Sequence, residues 1–174
     1  MKKIKINKNK GILFFLTGLS GSGKSEISEN IKNSITKKYG PTIVLSGDDI
    51  RKSYGFKGYT KKERITLGKN NIKFIKIILN QKINVIYNAI AMSNELRKIK
   101  KKNIKNYLEI YIKTNIKKAA KKKSKIYSLR KNIVGIDIKP EFPKSPDITI
   151  ANNFNNSIKK ISKELFIKIE KIIY

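Results

Sequence analysis

The chain has 174 residues, of which 41 are Lys or Arg and 12 are Asp or Glu, so its formal charge is +29, and it contains no Cys, His or Trp. These absences exclude disulfides, thiolate nucleophiles, zinc sites of the usual Cys/His kind and serine–histidine relays. A hydrophobic content of 39% argues against wholesale disorder, and the length predicts a single domain over residues 1–174 that buries roughly 70% of its unfolded surface.

The first predicted element is a buried strand at residues 12–17, with the sequence ILFFLT. The basic segment before it superficially resembles a signal peptide, but the apolar run is short and leads into a glycine loop. No segment approaches the roughly 20 apolar residues that span a bilayer, so we expect a cytoplasmic protein with no membrane contact. A helix over residues 24–38 ends at Gly40, and residues 42–45 form a second strand.

A short helix or turn is predicted for residues 48–54. Thr60 and Glu63 have the spacing of a capping box, which opens a long helix that ends near Gln81. A third strand is predicted at residues 84–89.

The second half of the chain continues the alternation of strands and helices. A lysine-rich irregular stretch at residues 121–146 interrupts it. The predicted elements are a helix from Ser93, a strand at 107–113, a helix from Asn115, a strand at 148–151 and a helix at 156–173. This order predicts an α/β three-layer sandwich, in which a five-stranded parallel sheet lies between helices. Ligands then bind at the carboxyl ends of the strands.

The strongest chemical signal directly follows the first strand. Residues 18–25 read GLSGSGKS and satisfy the pattern G-x-x-x-x-G-K-[ST] between a predicted strand and a predicted helix. The glycines let backbone N–H groups surround phosphate oxygens, and the helix N-terminus adds its positive end. We predict that Lys24 bridges the β- and γ-phosphates of ATP and that Ser25 binds Mg²⁺. The predicted ATP-binding residues are Gly18, Leu19, Ser20, Gly21, Ser22, Gly23, Lys24 and Ser25.

Two carboxylates, Asp48 and Asp49, follow the second strand. A carboxylate at this edge can orient an acceptor hydroxyl or hold a magnesium-bound water. The alternative, which the sequence leaves open, is that the pair only caps the short helix.

The cations are 37 Lys and only 4 Arg. Proteins that read bases favour the planar fork of Arg, so we expect no nucleic-acid partner, although a basic nucleic-acid-binding module is the rival hypothesis. The arginines are candidates for bidentate hydrogen bonds with anions, and Arg51 and Arg64 suggest an anionic second substrate. The four arginines are Arg51, Arg64, Arg97 and Arg130.

Several blocks together resemble the adenylyl-sulfate kinases, from Gly11 to Asn152. They are GLSGSGKS, LSGDDIR, GYTKKER, NVIYNAIAMSNELRK, NYLEIYIKT, KSKIY and VGIDIKPEFPKSPDITI. The resemblance implies a P-loop kinase fold with a short lid, a homodimer, and Mg²⁺ with ATP as phosphoryl donor. It also implies the reaction, which is phosphorylation of the ribose 3′-hydroxyl of adenosine 5′-phosphosulfate.

The resemblance implies roles for individual residues. Lys24 and Asp48 are the catalytic candidates, with Asp48 as base or hydroxyl orienter. The implied acceptor-binding residues are Asp48, Arg51 and Arg64 on the phosphosulfate side, Tyr59 and Ile133 at the two base-clamp positions, and Lys125 in the lid.

The sequence departs from the family pattern at several positions. Ser46 replaces an Asp, Glu26 follows Ser25 where Thr is usual, Leu67 replaces an Asn that helps to hold the acceptor, and Ile133 replaces an aromatic residue. The neighbouring cytidine diphosphoramidate kinases also have aliphatic residues in the last block, so their acceptor is an alternative substrate. Outside these motifs, the lysine runs at residues 98–102 and 117–125 are expected to be solvated, and Tyr87, Tyr107 and Tyr111 to belong to the core.

Overall fold

The computed structural model describes residues 3–122 and 132–174, and its centre is a parallel sheet of five strands. The strands are β1 (Leu13–Thr17), β2 (Thr42–Ser46), β3 (Asn84–Ala89), β4 (Tyr107–Lys113) and β5 (Ile148–Ala151). Their order across the sheet is β2-β3-β1-β4-β5, and every neighbouring pair is parallel. The predicted α/β fold class is therefore confirmed, and β3, β4 and β5 occupy the residues that the sequence predicted.

Helices cover both faces of the sheet. They are α1 (Lys24–Tyr39), α2 (Gly47–Ser53), α3 (Lys61–Asn80), α4 (Asn94–Asn103), α5 (Ile116–Lys122) and α6 (Ile158–Ile172). Because side chains alternate along a strand, Phe14 packs under α1 and α6, whereas Phe15 packs under α3 and α4. The carboxyl ends of the strands are left between these layers as the place for a site.

Local hydrogen bonds explain where two helices begin beside that edge. The hydroxyl of Ser46 accepts from the backbone N–H groups of Asp48 (3.2 Å) and Asp49 (3.4 Å), so Ser46 is the N-cap of α2. The capping box of Thr60 and Glu63 at the start of α3 is confirmed. Since Ser46 provides the cap, the Asp48 carboxylate is not needed for capping.

The expectation of a solvated lysine run at residues 98–102 is wrong at one position. Lys100 is 1% exposed, and its ammonium group lies 3.6 Å from the centroid of the Phe15 ring. The cause is helix periodicity, since Lys100 stands four residues from both Leu96 and Ile104, which are buried.

Several predictions concern residues outside those that the structure describes. These residues are Lys125, Arg130 and most of the short lid. Among the described residues, no helix has both the length and the apolar character to cross a bilayer.

Candidate active site

A cavity of about 480 Å³ opens at the carboxyl edge of the sheet. Its wall combines the loop after β1, the start of α2, the first turns of α3, the end of β3 with the loop after it, and residues within 134–141 and 152–158, which precede and follow β5 in the chain. Most of the predicted site residues are in this wall. They are Ser20, Gly21, Gly23, Lys24, Ser25, Asp48, Arg51 and Arg64.

The loop between β1 and α1 has the backbone that a phosphate-binding loop requires. Gly21 and Gly23 have positive φ angles of 76° and 87°, which side chains disfavour. A Cβ atom at Gly18 would lie 2.7 Å from the carbonyl oxygen of Ile112. The ammonium group of Lys24 donates to the carbonyl oxygens of Gly18 (3.0 Å) and Leu19 (2.7 Å). Lys24 thus holds its charge against the loop at the wall of the cavity.

Two asparagines support this loop, and sequence reasoning missed both. The fully buried Asn152 donates through Nδ2 to the carbonyl oxygen of Ser22 at 3.0 Å. Asn88 Oδ1 lies 3.4 Å from the Ser25 hydroxyl. The position of the two asparagines in the chain could have indicated their role. Asn88 is near the end of β3 and Asn152 directly follows β5, at the carboxyl edge of the sheet where ligands bind.

The residues around Ser25 fit a magnesium ion bound together with a nucleotide. Ser25 is exposed at the cavity, with the amide oxygen of Asn88 beside it. Mg²⁺ in such sites takes few protein ligands and completes its shell with phosphate oxygens and water. In residues 3–122 and 132–174 there is no cluster of three or more acidic, His or Cys side chains.

The other half of the cavity concentrates positive charge. The guanidinium groups of Arg51 and Arg64 lie 4.4 Å and 5.3 Å from the ring centroid of Tyr59. Arg64 also donates to the carbonyl oxygens of Tyr59 (2.8 Å) and Asn132 (2.9 Å). Burial, with the neighbouring charge of Arg51, lowers the pKa of Arg64. A buried and a partly buried guanidinium group therefore lie at one aromatic ring beside the cavity.

Two predicted base-clamp residues are not in the wall of the cavity. The ring of Tyr59 packs against the two guanidinium groups, so its structural role is to hold the arginines. Ile133 is buried, and its neighbours Val134 and Ile138 line the cavity instead. The contact of Tyr59 and Ile133 with the acceptor base stays a prediction.

Arg97 lies outside the cavity wall and braces a loop of that wall. It donates to the carbonyl oxygen of Glu141 and to Asn94 Oδ1. The carboxylate of Glu141 accepts from the backbone N–H of Asn94 (2.6 Å) and from the ammonium of Lys61 (3.0 Å). These hydrogen bonds lower the pKa of Glu141, whose side chain lines the cavity.

Two of the departures from the family pattern, Glu26 and Leu67, also line the cavity. Glu26 is exposed at its wall, and Leu67 is buried there. One helical turn beyond Leu67, Asn71 is only 2% exposed and donates through Nδ2 to the Tyr87 hydroxyl at 2.9 Å. Burial raises the pKa of Tyr87 to about 12, so this hydroxyl stays protonated at neutral pH. Neither Asn71 nor Tyr87 was predicted as a site residue.

Comparison with known proteins supports a kinase site. Residues 10–151 match the model of the adenylylsulphate kinase family. The chain is 35% identical over 167 residues to the cytidine diphosphoramidate kinase of Campylobacter jejuni subsp. jejuni serotype O:2, covering 92% of this chain and 97% of that protein. It is 28% identical over 163 residues to the adenylyl-sulfate kinase of Clostridium kluyveri, covering 89% and 82%.

The fold also matches a solved structure. The Mycobacterium tuberculosis APS kinase CysC, in complex with AMPPNP and APS, superposes with a TM-score of 0.82 at 22% sequence identity, covering 92% of this chain and 98% of that one. At this identity the likeness concerns the fold.

Proposed function

Because the chain belongs to the adenylylsulphate kinase family and is therefore an ATP-dependent phosphotransferase, we propose that it phosphorylates the ribose 3′-hydroxyl of a nucleotide with an anionic 5′ group. One observation carries this proposal. Asp48, Arg51 and Arg64 open onto the same cavity as Lys24 and Ser25. A donor nucleotide and an anionic acceptor can therefore meet in one site, with a carboxylate beside them.

The site residues have different roles in phosphoryl transfer. The backbone N–H groups of the glycine loop and the Lys24 ammonium stabilise the charge of the transferred phosphoryl group. Asp48 orients the 3′-hydroxyl and accepts its proton. The Ser25 hydroxyl and the ATP phosphates would hold Mg²⁺, which would supply further charge neutralisation. Arg51 and Arg64 hold the anionic group of the acceptor and so fix the position of its ribose.

Two acceptors fit this description. Adenosine 5′-phosphosulfate is the acceptor that the family name implies, with the 3′-phosphorylated nucleotide and ADP as products. Cytidine diphosphoramidate is the second candidate, supported by the relative at 35% identity and by the aliphatic wall of Leu67, Val134 and Ile138. The homodimer and the cytoplasmic location stay predictions.

The proposal is tested by incubating the protein with Mg·ATP and each acceptor separately, and following ADP release. We expect release that depends on one of the two acceptors, with the new phosphate located on the 3′-oxygen by ³¹P NMR. ADP release no faster than with ATP alone, for both acceptors, contradicts the proposed function. DNA affinity that falls steeply with salt would then favour the basic binding module.

Arg64→Met is expected to raise the KM for the acceptor by about 10- to 100-fold, because a charge-assisted contact with its anionic group is lost. The KM for ATP should change little, since the ATP phosphates bind at the other half of the cavity. Steady-state kinetics with each substrate varied in turn measures both values. Lys62→Met, an exposed lysine in the same turn of α3, is the control. An equal rise in both KM values would contradict a role restricted to the acceptor.

A further inference from the structure

A short stretch of the cavity wall, residues 132–141, is tied to helix α3 at both of its ends. We call this stretch the wall segment. At one end Arg64 donates to the carbonyl oxygen of Asn132 at 2.9 Å. At the other end the Lys61 ammonium group lies 3.0 Å from the Glu141 carboxylate. Lys61 and Arg64 both line the cavity, and so do four residues of the wall segment, which are Val134, Ile138, Lys139 and Glu141.

Glu141 connects the wall segment to three other parts of the fold. Its backbone N–H donates to the carbonyl oxygen of Met92, in the loop after β3, at 3.2 Å. Its carboxylate accepts from the backbone N–H of Asn94, the first residue of α4, at 2.6 Å, and from Lys61 on α3. Its carbonyl oxygen accepts from Arg97 on α4. Because a helix N-terminus has unpaired N–H groups and favours negative charge, the start of α4 is a suitable place for this carboxylate.

The contact between Arg97 and the wall segment is anchored in the protein interior. Arg97 is buried, and its Nε atom lies 3.9 Å from the carboxylate of Glu109, which is also buried. A charge removed from water needs hydrogen-bond and charge partners. The carbonyl oxygen of Glu141 and the Glu109 carboxylate supply such partners to Arg97. The wall segment is therefore fixed at Glu141 to the interior of the fold.

Glu141 also determines where one cation of the cavity lies. A lysine side chain is flexible, and its rotamer freedom is lost only where a partner holds its ammonium group. The Glu141 carboxylate holds Lys61 at the cavity wall, three residues before Arg64 on α3. An anionic acceptor is oriented only if the cations around it have fixed positions.

We propose that Glu141 is a positioning residue of the acceptor site, which holds the wall segment and the Lys61 ammonium group in place for an anionic nucleotide without binding that nucleotide itself. This inference rests on the proposed function. ATP binding should not depend on Glu141, because the glycine loop is supported by Lys24 and Asn152 instead.

The test is steady-state kinetics of Glu141→Leu, with ATP and the acceptor varied in turn. The acceptor is whichever of adenosine 5′-phosphosulfate and cytidine diphosphoramidate the wild type uses. We expect the KM for the acceptor to rise about tenfold or more, while kcat and the KM for ATP stay within about threefold of the wild type. Glu141→Gln keeps one acceptor oxygen for Asn94 or Lys61, so its KM for the acceptor should lie between the two.

The sign of the effect separates positioning from simple electrostatics. Removing a carboxylate from a cavity that binds an anion should lower the KM for that anion if only the charge mattered. The proposed role predicts a rise. A fall in the KM for the acceptor in Glu141→Leu would therefore overturn the inference.

A second ion pair of α3 provides the matched control. Lys69 and Glu95 lie 2.7 Å apart and also connect α3 to α4, but neither residue lines the cavity. We expect Glu95→Leu to keep the KM for the acceptor within about twofold of the wild type. An equal rise in Glu95→Leu and Glu141→Leu would show a general effect of losing an ion pair and contradict the role of Glu141.

The double variant Glu141→Leu/Lys61→Met tests whether the two residues act together. If Glu141 acts through Lys61, the rise in the KM for the acceptor should be smaller than the product of the rises in the single variants. A rise equal to that product would indicate that each residue binds the acceptor independently, which overturns the inference. If Glu141→Leu does not fold, Glu141→Gln takes its place in this cycle.

The remaining outcomes separate the inference from the proposed function. A wild type that is inactive with both acceptors overturns the proposed function, and the inference with it. An active wild type with an unchanged KM for the acceptor in folded Glu141→Leu overturns the inference alone. Equal rises in the KM values for ATP and acceptor would show that Glu141 only stabilises the fold, and this result also overturns the inference alone.

Discussion

The Asp48→Asn variant is expected to lose about 10²- to 10⁴-fold in kcat, because an amide cannot accept the proton of the acceptor hydroxyl. The KM for ATP should stay near the wild-type value, since the glycine loop and Lys24 are unchanged. Structural damage is not expected, because Ser46 rather than Asp48 caps α2. Single-turnover measurement of phosphoryl transfer, at saturating ATP and acceptor, gives the chemical step directly.

Asp49→Asn is the matched control for this experiment. Asp49 is the neighbouring residue in the same turn of α2, it is also exposed, and the cavity wall includes only Asp48 of the two. We expect Asp49→Asn to keep kcat within about threefold of the wild type, well below the effect assigned to a general base. Equal losses in both variants would assign the effect to the charge at the start of α2 and contradict a direct role of Asp48.

The Lys100→Met variant is expected to be more stable than the wild type at neutral pH, by about 1–4 kcal/mol. Burial lowers the pKa of Lys100 to about 7, and the nearby charge of Glu109 only partly opposes this effect. Glu109 keeps other cations, since Arg97 and Lys101 each approach its carboxylate at 3.9 Å. A methionine in this position therefore removes a costly buried charge without isolating Glu109.

The gain in stability should depend on pH with a defined sign. Between pH 7 and about 10.5 the unfolded chain keeps the Lys100 proton that the folded protein has lost. The wild-type free energy of unfolding therefore gains a contribution that grows as pH rises through this range. The difference between Lys100→Met and wild type should be largest at pH 6–7 and should shrink toward pH 9. Urea denaturation at four pH values between 6 and 9 measures this difference.

Lys98→Met is the control for Lys100→Met, because Lys98 is an exposed lysine in the same helix. It should change stability by less than about 0.5 kcal/mol, with no trend in pH. The opposite result would be a Lys100→Met protein that is less stable than the wild type by the same amount at pH 6 and at pH 9. That result would show that Lys100 acts as a charged partner of Glu109.

The sequence predicted most of the fold because its signals are local. Strand β3 is a short run rich in apolar residues that follows a turn, and α3 begins at a capping box. The glycine loop was recognised because its function requires fixed residue types at fixed spacing between a strand and a helix. Its position in the cavity wall follows from the order of the strands.

Lys100 and Asn71 show what local patterns could not predict. Each is a polar residue in an otherwise apolar stripe with a spacing of four, and composition alone suggests that such a residue is solvated. The rest of each stripe carried the correct signal, since Leu96 and Ile104 flank Lys100, and Leu67 and Ile75 flank Asn71. The absence of Tyr59 from the cavity wall could not be predicted either, because it depends on tertiary contacts with Arg51 and Arg64.

Strand β3 contributes residues to both halves of the cavity. Asn88 is directed to the Ser25 side, whereas its neighbour Tyr87 contacts Asn71 on the opposite face of the sheet. A small axial displacement of this one strand therefore moves a donor-side and an acceptor-side contact together. We therefore expect substitutions at positions 87 and 88 to be energetically coupled even though their side chains do not contact each other. Each substitution should change the affinity for both nucleotides.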